Sequence, residues 1–149
     1  MNKRPANPVH ILIADDDEDD QLLIREALED GHISNPHTFF ENGKQLLDYL
    51  SGEEKGPERF STSAYLILLD LNMPIMDGRE TLQRLKTSDA YKKIPVIVLT
   101  TSKQEEDILS SYDSGVNSYI SKPVTFESLV DVMKTLQKYW LQVVEIPHG

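Results

Sequence analysis

The sequence predicts an α/β protein in which a five-stranded parallel sheet is doubly wound, with helices on both faces. Three observations carry that expectation. Short, nearly continuous apolar runs recur along the chain, and each is followed by a longer stretch with helical spacing. Runs without inside–outside alternation belong to strands buried on both faces, the habit of parallel sheets. Several runs also end abruptly in residues of related polar chemistry, at the strand ends where open α/β sheets bind their ligands.

The elements follow in order. Val9-His10-Ile11-Leu12-Ile13-Ala14 is the first apolar run and stops at Asp15. Leu22, Leu23, Ile24, Ala27 and Leu28 then mark a helix that Gly31 ends. A brief extended piece at Thr38-Phe39-Phe40 leads through Asn42-Gly43 into a short helix carrying Leu46, Leu47 and Leu50. Tyr65-Leu66-Ile67-Leu68-Leu69 is closed by Asp70, and helix resumes from about Arg79 to Lys86. Pro95-Val96-Ile97-Val98-Leu99 ends in Thr100-Thr101-Ser102, followed by a helix over 104–114 that stops at Gly115. Asn117-Ser118-Tyr119-Ile120-Ser121 ends in Lys122-Pro123, and a final helix covers 126–141. That is a β-α unit five times over. The polar stretch 52–64, with two glycines and a proline, reads as a long surface loop. Residues 1–8 read as an arm, 9–141 as one domain and 142–149 as a short tail.

A chain of 149 residues suffices for one hydrophobic core, and 39% apolar with 27% charged residues is a globular mix. The absence of cysteine excludes disulfides, zinc-thiolate sites, iron–sulfur clusters and a cysteine nucleophile. No apolar run is long enough to cross a bilayer, and Met1-Asn2-Lys3-Arg4-Pro5 leads into no signal-peptide core, so a cytoplasmic protein is expected. Twenty-five acids against 15 bases repel phosphate backbones and anionic lipid, so neither nucleic acid nor membrane is expected as a partner. Six of those acids are consecutive: Asp15, Asp16, Asp17, Glu18, Asp19 and Asp20. The last four are expected to form a solvated first helical turn, which the helix dipole favours without any role at a site. His10, His32, His37 and His148 are scattered without ligand spacing and are expected at the surface.

If the first and third strands are neighbours, Asp15, Asp16 and Asp70 converge in one crevice. Three close carboxylates repel one another unless a cation sits among them, and an all-oxygen set suits Mg²⁺. A metal beside a free carboxylate is also what phosphoryl transfer to an aspartate oxygen requires. Lys122 and Thr100 end other strands and offer an ammonium and a hydroxyl to phosphoryl oxygens.

These residues resemble a known family. Ile13-Ala14-Asp15-Asp16, then Leu68-Leu69-Asp70-Leu71-Asn72-Met73-Pro74 with Asp77-Gly78, then Val98-Leu99-Thr100-Thr101, then Tyr119-Ile120-Ser121-Lys122-Pro123, resemble the receiver domain of two-component response regulators over residues 9–141. The loop 52–64 and the ending Tyr139-Trp140-Leu141-Gln142-Val143-Val144-Glu145-Ile146-Pro147 further resemble single-domain regulators that serve bacterial phytochrome kinases. The resemblance implies a flavodoxin-like strand order 2-1-3-4-5, and Asp70 as the residue phosphorylated by a sensor histidine kinase. It implies Mg²⁺ held directly by Asp16, mainly through water by Asp15, and by the backbone carbonyl of Asn72. Lys122 would contact the phosphoryl group, Pro123 would follow a cis peptide bond, and Thr100 with Tyr119 would form the switch. Thr101 stands where the family usually has a very small residue, so its branched side chain is expected to narrow the entrance to Asp70 and slow attack by water. Asn72 and Ser102 flank the same entrance and are expected to tune the phosphorylated lifetime.

After the last helix only a short tail remains, so the expected output is binding to another protein in one phosphorylation state, or passing the phosphoryl group onward. On that helix Phe126, Leu129, Val130, Met133, Leu136 and Trp140 form a core-facing stripe, which Val132, Tyr139 and Val143 widen to about half the circumference. The surplus reads as a homodimer face, the alternative being that the tail 144–147 folds back over it. Two other functions compete with the switch. A Mg²⁺-dependent aspartyl-phosphate phosphohydrolase wants a second carboxylate two residues after its nucleophile, and this chain has Asn72 there. A degenerate, non-phosphorylated binding module is disfavoured by the intact set Asp16, Asp70, Thr100 and Lys122.

Overall fold

The computed structural model describes residues 9–30, 35–52, 65–101, 103–104, 118–125 and 127–131. The strands are β1 (His10–Ala14), β2 (His37–Phe40), β3 (Tyr65–Asp70), β4 (Val96–Thr100) and β5 (Ser118–Ser121), all parallel in one sheet of order β2-β1-β3-β4-β5. The helices are α1 (Glu18–Asp30), α2 (Gly43–Ser51) and α3 (Gly78–Lys86), and residues 103–104 and 127–131 are also helical. The predicted arm, the loop beyond Gly52, the helix over 104–114 past its first residue, Ser102 and all of the tail lie outside the described residues. So do most residues of the proposed homodimer face.

The central strands β1, β3 and β4 are buried on both faces, as unalternated apolar runs require, while the edge strand β2 is partly exposed. Ile11, Ile13, Leu66, Leu68, Ile97, Leu99 and Ile120 point to one side, where Ile24, Ala27 and Leu28 of α1 and Leu129 meet them. Their alternates Leu12, Ala14, Ile67, Leu69, Val96 and Val98 point to the other, against Leu46 and Leu50 of α2 and Leu82 and Leu85 of α3. Each fully buried side chain of this kind contributes about 1.5–3 kcal/mol. Within α1 only one stripe is used: Leu22 and Leu23 of the predicted apolar set remain exposed.

Side chains and glycines fix the helix ends. Asn42 caps α2 by accepting from Gln45 N (2.9 Å), while Gln45 Oε1 accepts from Glu41 N (2.8 Å). Gly52, at φ 82°, closes α2 in the left-handed region. Asp77 caps α3 through Glu80 N (3.0 Å). Gly78 serves close approach: a Cβ there would lie 2.2 Å from the Asp70 carbonyl oxygen and 2.6 Å from Leu71 Cα. The expected Asp77-Gly78 turn is thus also the contact that seats α3 against the end of β3.

The chain passes from β1 to β2 on one side and then to β3 on the other, so strand order reverses between β1 and β3. Side by side there, with Ala14 opposite Leu69, the two strands end in Asp15 and Asp70. This is the crevice at which doubly wound sheets bind ligands.

Candidate functional site

Asp15 follows β1, Asp70 ends β3, Thr100 ends β4 and Lys122 follows β5, so four strand ends build one cleft of about 810 Å³. Asp16, Asp20, Asp70, Asn72, Thr101 and Lys122 line it. Lys122 Nζ lies 3.1 Å from Asp15 Oδ2, 3.1 Å from Asp70 Oδ2 and 2.6 Å from Asp20 Oδ2. Backbone donors hold the two buried carboxylates: Asp17 N donates to Asp15 Oδ1 (2.9 Å), and Asn72 N to Asp70 Oδ1 (3.2 Å). Thr100 is buried, and its carbonyl accepts from Lys122 N (2.9 Å), tying the two strand ends together. Thr101 is exposed at the mouth, and Tyr119 is half-buried against the α2–α3 core. The Lys122–Pro123 peptide is cis. Of the predicted site residues, only Ser102 is not described.

The electrostatics are unbalanced. Burial pushes the Asp15 carboxyl up from the usual 3.8 to about 6, against the opposing pull of the Asp17 N–H and of Lys122. Asp70 is raised for the same reason, again against Lys122. Burial alone would depress Lys122, yet its hydrogen bond to Asp20 and the charges of Asp15 and Asp70 lift it instead. The ammonium is therefore firmly ionised while two of its partners resist ionising. One cation divided among several carboxylates cannot compensate each of them.

A second cation fits that deficit. One carboxylate oxygen from each of Asp15, Asp16 and Asp70 can be taken so that all lie within 4.8 Å of one another. Asp15 Oδ2 is fully buried and has no hydrogen-bond partner, its 3.1 Å approach to Lys122 being an ion pair without hydrogen-bond geometry. An orphaned anionic oxygen beside an exposed carboxylate and an all-oxygen donor set suits a hard divalent cation.

Sequence reasoning misses Asp20, because the acidic run places it with its neighbours in a solvated helix start. Glu18 and Asp19 are exposed as expected. Asp17 caps α1, its Oδ1 accepting from Asp19 N (2.8 Å) and Asp20 N (3.3 Å). Asp20, however, turns into the cleft and meets Lys122, 102 residues away in sequence. Local pattern offered no signal for it, because the contact depends on where the end of β5 falls relative to the start of α1.

Residues 11–134 match the response regulator receiver domain family. The chain belongs to that family. The receiver is 35% identical over 147 residues to the response regulator Rcp1 of Synechocystis sp. (strain ATCC 27184 / PCC 6803 / Kazusa), with 99% of each chain covered. Rcp1 has been solved in a Mn²⁺-bound form, similar to this receiver at a TM-score of 0.66 and 34% identity, over 95% of this chain and 100% of that one. The bacteriophytochrome response regulator RtBRR is similar at a TM-score of 0.78 and 36% identity, covering 96% of this chain and 86% of that one. The phosphorylated cyanobacterial phytochrome response regulator RcpA is similar at 0.69 and 36%, covering 96% and 100%. The fold and strand order are those of the receiver family, whose members accept phosphoryl groups from histidine kinases and act as signalling proteins. Among the described residues no helix is long and apolar enough to cross a membrane.

Proposed function

We propose that this chain acts as a cytoplasmic response regulator receiver, phosphorylated on Asp70 by a phytochrome-type histidine kinase with Mg²⁺ in the cleft. The supporting observation is the convergence of Asp70 with Lys122 beside the orphaned Asp15 oxygen. Asp70 Oδ2 lies 3.1 Å from the Lys122 ammonium while Oδ1 accepts from Asn72 N. In the reaction an Asp70 oxygen forms a bond to phosphorus as the phosphorus–nitrogen bond to the donor histidine breaks, leaving the donor imidazole to take up a proton. Lys122 moves its ammonium onto one phosphoryl oxygen and the Thr100 hydroxyl bonds another. Asp15, Asp16, Asp70 and the Asn72 carbonyl would hold Mg²⁺, which would neutralise phosphoryl charge. Tyr119 answers the Thr100 movement by shifting its ring, so the dianionic group selects one of two packings for a protein partner to read.

Catalysis is then confined to the receiver's own phosphorylation and dephosphorylation. A turning-over phosphohydrolase would need a proton carrier where Asn72 stands. Incubation with a small acyl-phosphate donor and Mg²⁺ separates the readings. One slowly decaying adduct supports the switch, rapid repeated turnover supports the hydrolase, and no adduct supports a degenerate module. Faster phosphotransfer from phytochrome-type kinases than from other histidine kinases tests the pathway. Homodimerisation through the last helix is also proposed from its broad apolar arc, and sedimentation unchanged by Val143→Asp would count against it.

A further inference from the structure

We propose that Asp20 is a positioning residue that docks the Lys122 ammonium to one side of the cleft, so that the ammonium and a divalent cation occupy it together. This rests on the reading that Asp15, Asp16 and Asp70 hold the metal. Those three carboxylates form the cation-sized cluster, and Asp20 is not among them. The ammonium nevertheless makes its shortest contact to Asp20, at 2.6 Å, against 3.1 Å to both Asp15 and Asp70. Asp20 is largely buried and is set in place from both ends. The Asp17 cap holds its backbone N–H, and Gln21 Nε2 donates to the Asp15 carbonyl (2.6 Å), pinning the first turn of α1 to the end of β1.

Lys122 and a metal ion want oxygens of the same carboxylates, Asp15 and Asp70, and two cations packed on shared ligands repel. A carboxylate outside the cluster gives the ammonium an anchor that leaves those oxygens turned toward the metal. It also keeps Lys122 within a short swing of a phosphoryl group on Asp70. Without Asp20 the ammonium settles on Asp15 and Asp70 and competes with the metal.

Calorimetric titration of Mg²⁺ into the full chain tests this without phosphorylation. Asp20→Asn is expected to weaken Mg²⁺ binding about tenfold, the scale of one charge-assisted hydrogen bond. Lys122→Met is expected to tighten it by removing the competitor. In the Lys122→Met background, Asp20→Asn should then change the affinity by less than about twofold, because its action runs through the ammonium. Asp20→Glu should restore most of the binding lost in Asp20→Asn, and metal-free thermal midpoints confirm that each variant is folded. An equal loss in both lysine backgrounds would overturn the proposal, making Asp20 just another negative charge, as would an unchanged affinity in Asp20→Asn. No Mg²⁺ binding by the wild type would overturn the proposal together with the metal reading. An intact acyl-phosphate adduct in Asp70→Asn would overturn the phosphoacceptor assignment alone.

Discussion

Among the described residues Asp15 carries a sharp electrostatic conflict: it is a fully buried carboxyl whose cationic neighbour is shared with two others. Its folded value of about 6 lies above the usual 3.8, so the native state holds the proton more tightly than the unfolded chain. The stabilisation by neutral Asp15 is complete below about pH 4 and is lost as pH rises through about 6. In metal-free protein, Asp15→Asn is therefore expected to be neutral or destabilising at pH 4 and more stable than wild type at pH 7.5, by about 1–3 kcal/mol. Urea midpoints at the two pH values check this, and a gap independent of pH would refute it. Gly78→Ala is expected to destabilise by about 1–3 kcal/mol, because the added methyl meets backbone at 2.2 Å and 2.6 Å rather than a yielding side chain. At the mouth, Thr101→Ala opens the approach to Asp70 and should shorten the half-life of the phosphorylated form. An unchanged or longer half-life would remove Thr101 from the account. None of these residues stands out by type alone: Gly78 looks like turn chemistry in sequence, and its real constraint comes from the start of α3 abutting the backbone at the end of β3.

At the scale of elements, the apolar periods were enough to predict every described strand and helix within a few residues. The caps follow from local chemistry, Asn42 and Asp77 each being a short acceptor placed just before an apolar stripe. What local pattern left open was the choice of face. Leu22 and Leu23 obey helical spacing, yet the buried stripe of α1 runs through Ile24, Ala27 and Leu28, because the sheet decides which side is covered. Lys86 was equally unreadable. Its ammonium donates to the carbonyls of Lys92 (3.1 Å) and Ile94 (2.8 Å), strapping the end of α3 to the segment that enters β4. Burial pulls its pKa downward, which marks the ammonium as partly desolvated. Lys86→Met should cost about 1–2 kcal/mol, since it leaves two carbonyls without their charged donor. A thermal melt that did not shift would show that water replaces the lysine freely.

Across the whole molecule, the cleft was legible wherever function follows from strand order and hidden wherever it depends on a long-range pair. Once β1 lies beside β3, Asp15, Asp16 and Asp70 must meet, and the runs ending in Thr100 and Lys122 must border them. The Asp20–Lys122 contact joins the start of α1 to the end of β5, and no local pattern encodes it. It also changes the meaning of the acidic run: the six acids divide into two carboxylates of the candidate cation cluster, a helix cap, two exposed residues and a partner for the Lys122 ammonium. In the proposed function all these residues serve one reactive oxygen on Asp70. The most direct measurement is to phosphorylate the protein with an acyl-phosphate donor and Mg²⁺, reduce the acyl phosphate with borohydride, and locate the resulting homoserine by peptide mass mapping. Homoserine at position 70 is the predicted result. Homoserine at position 15, 16 or 20, or at none, would contradict it.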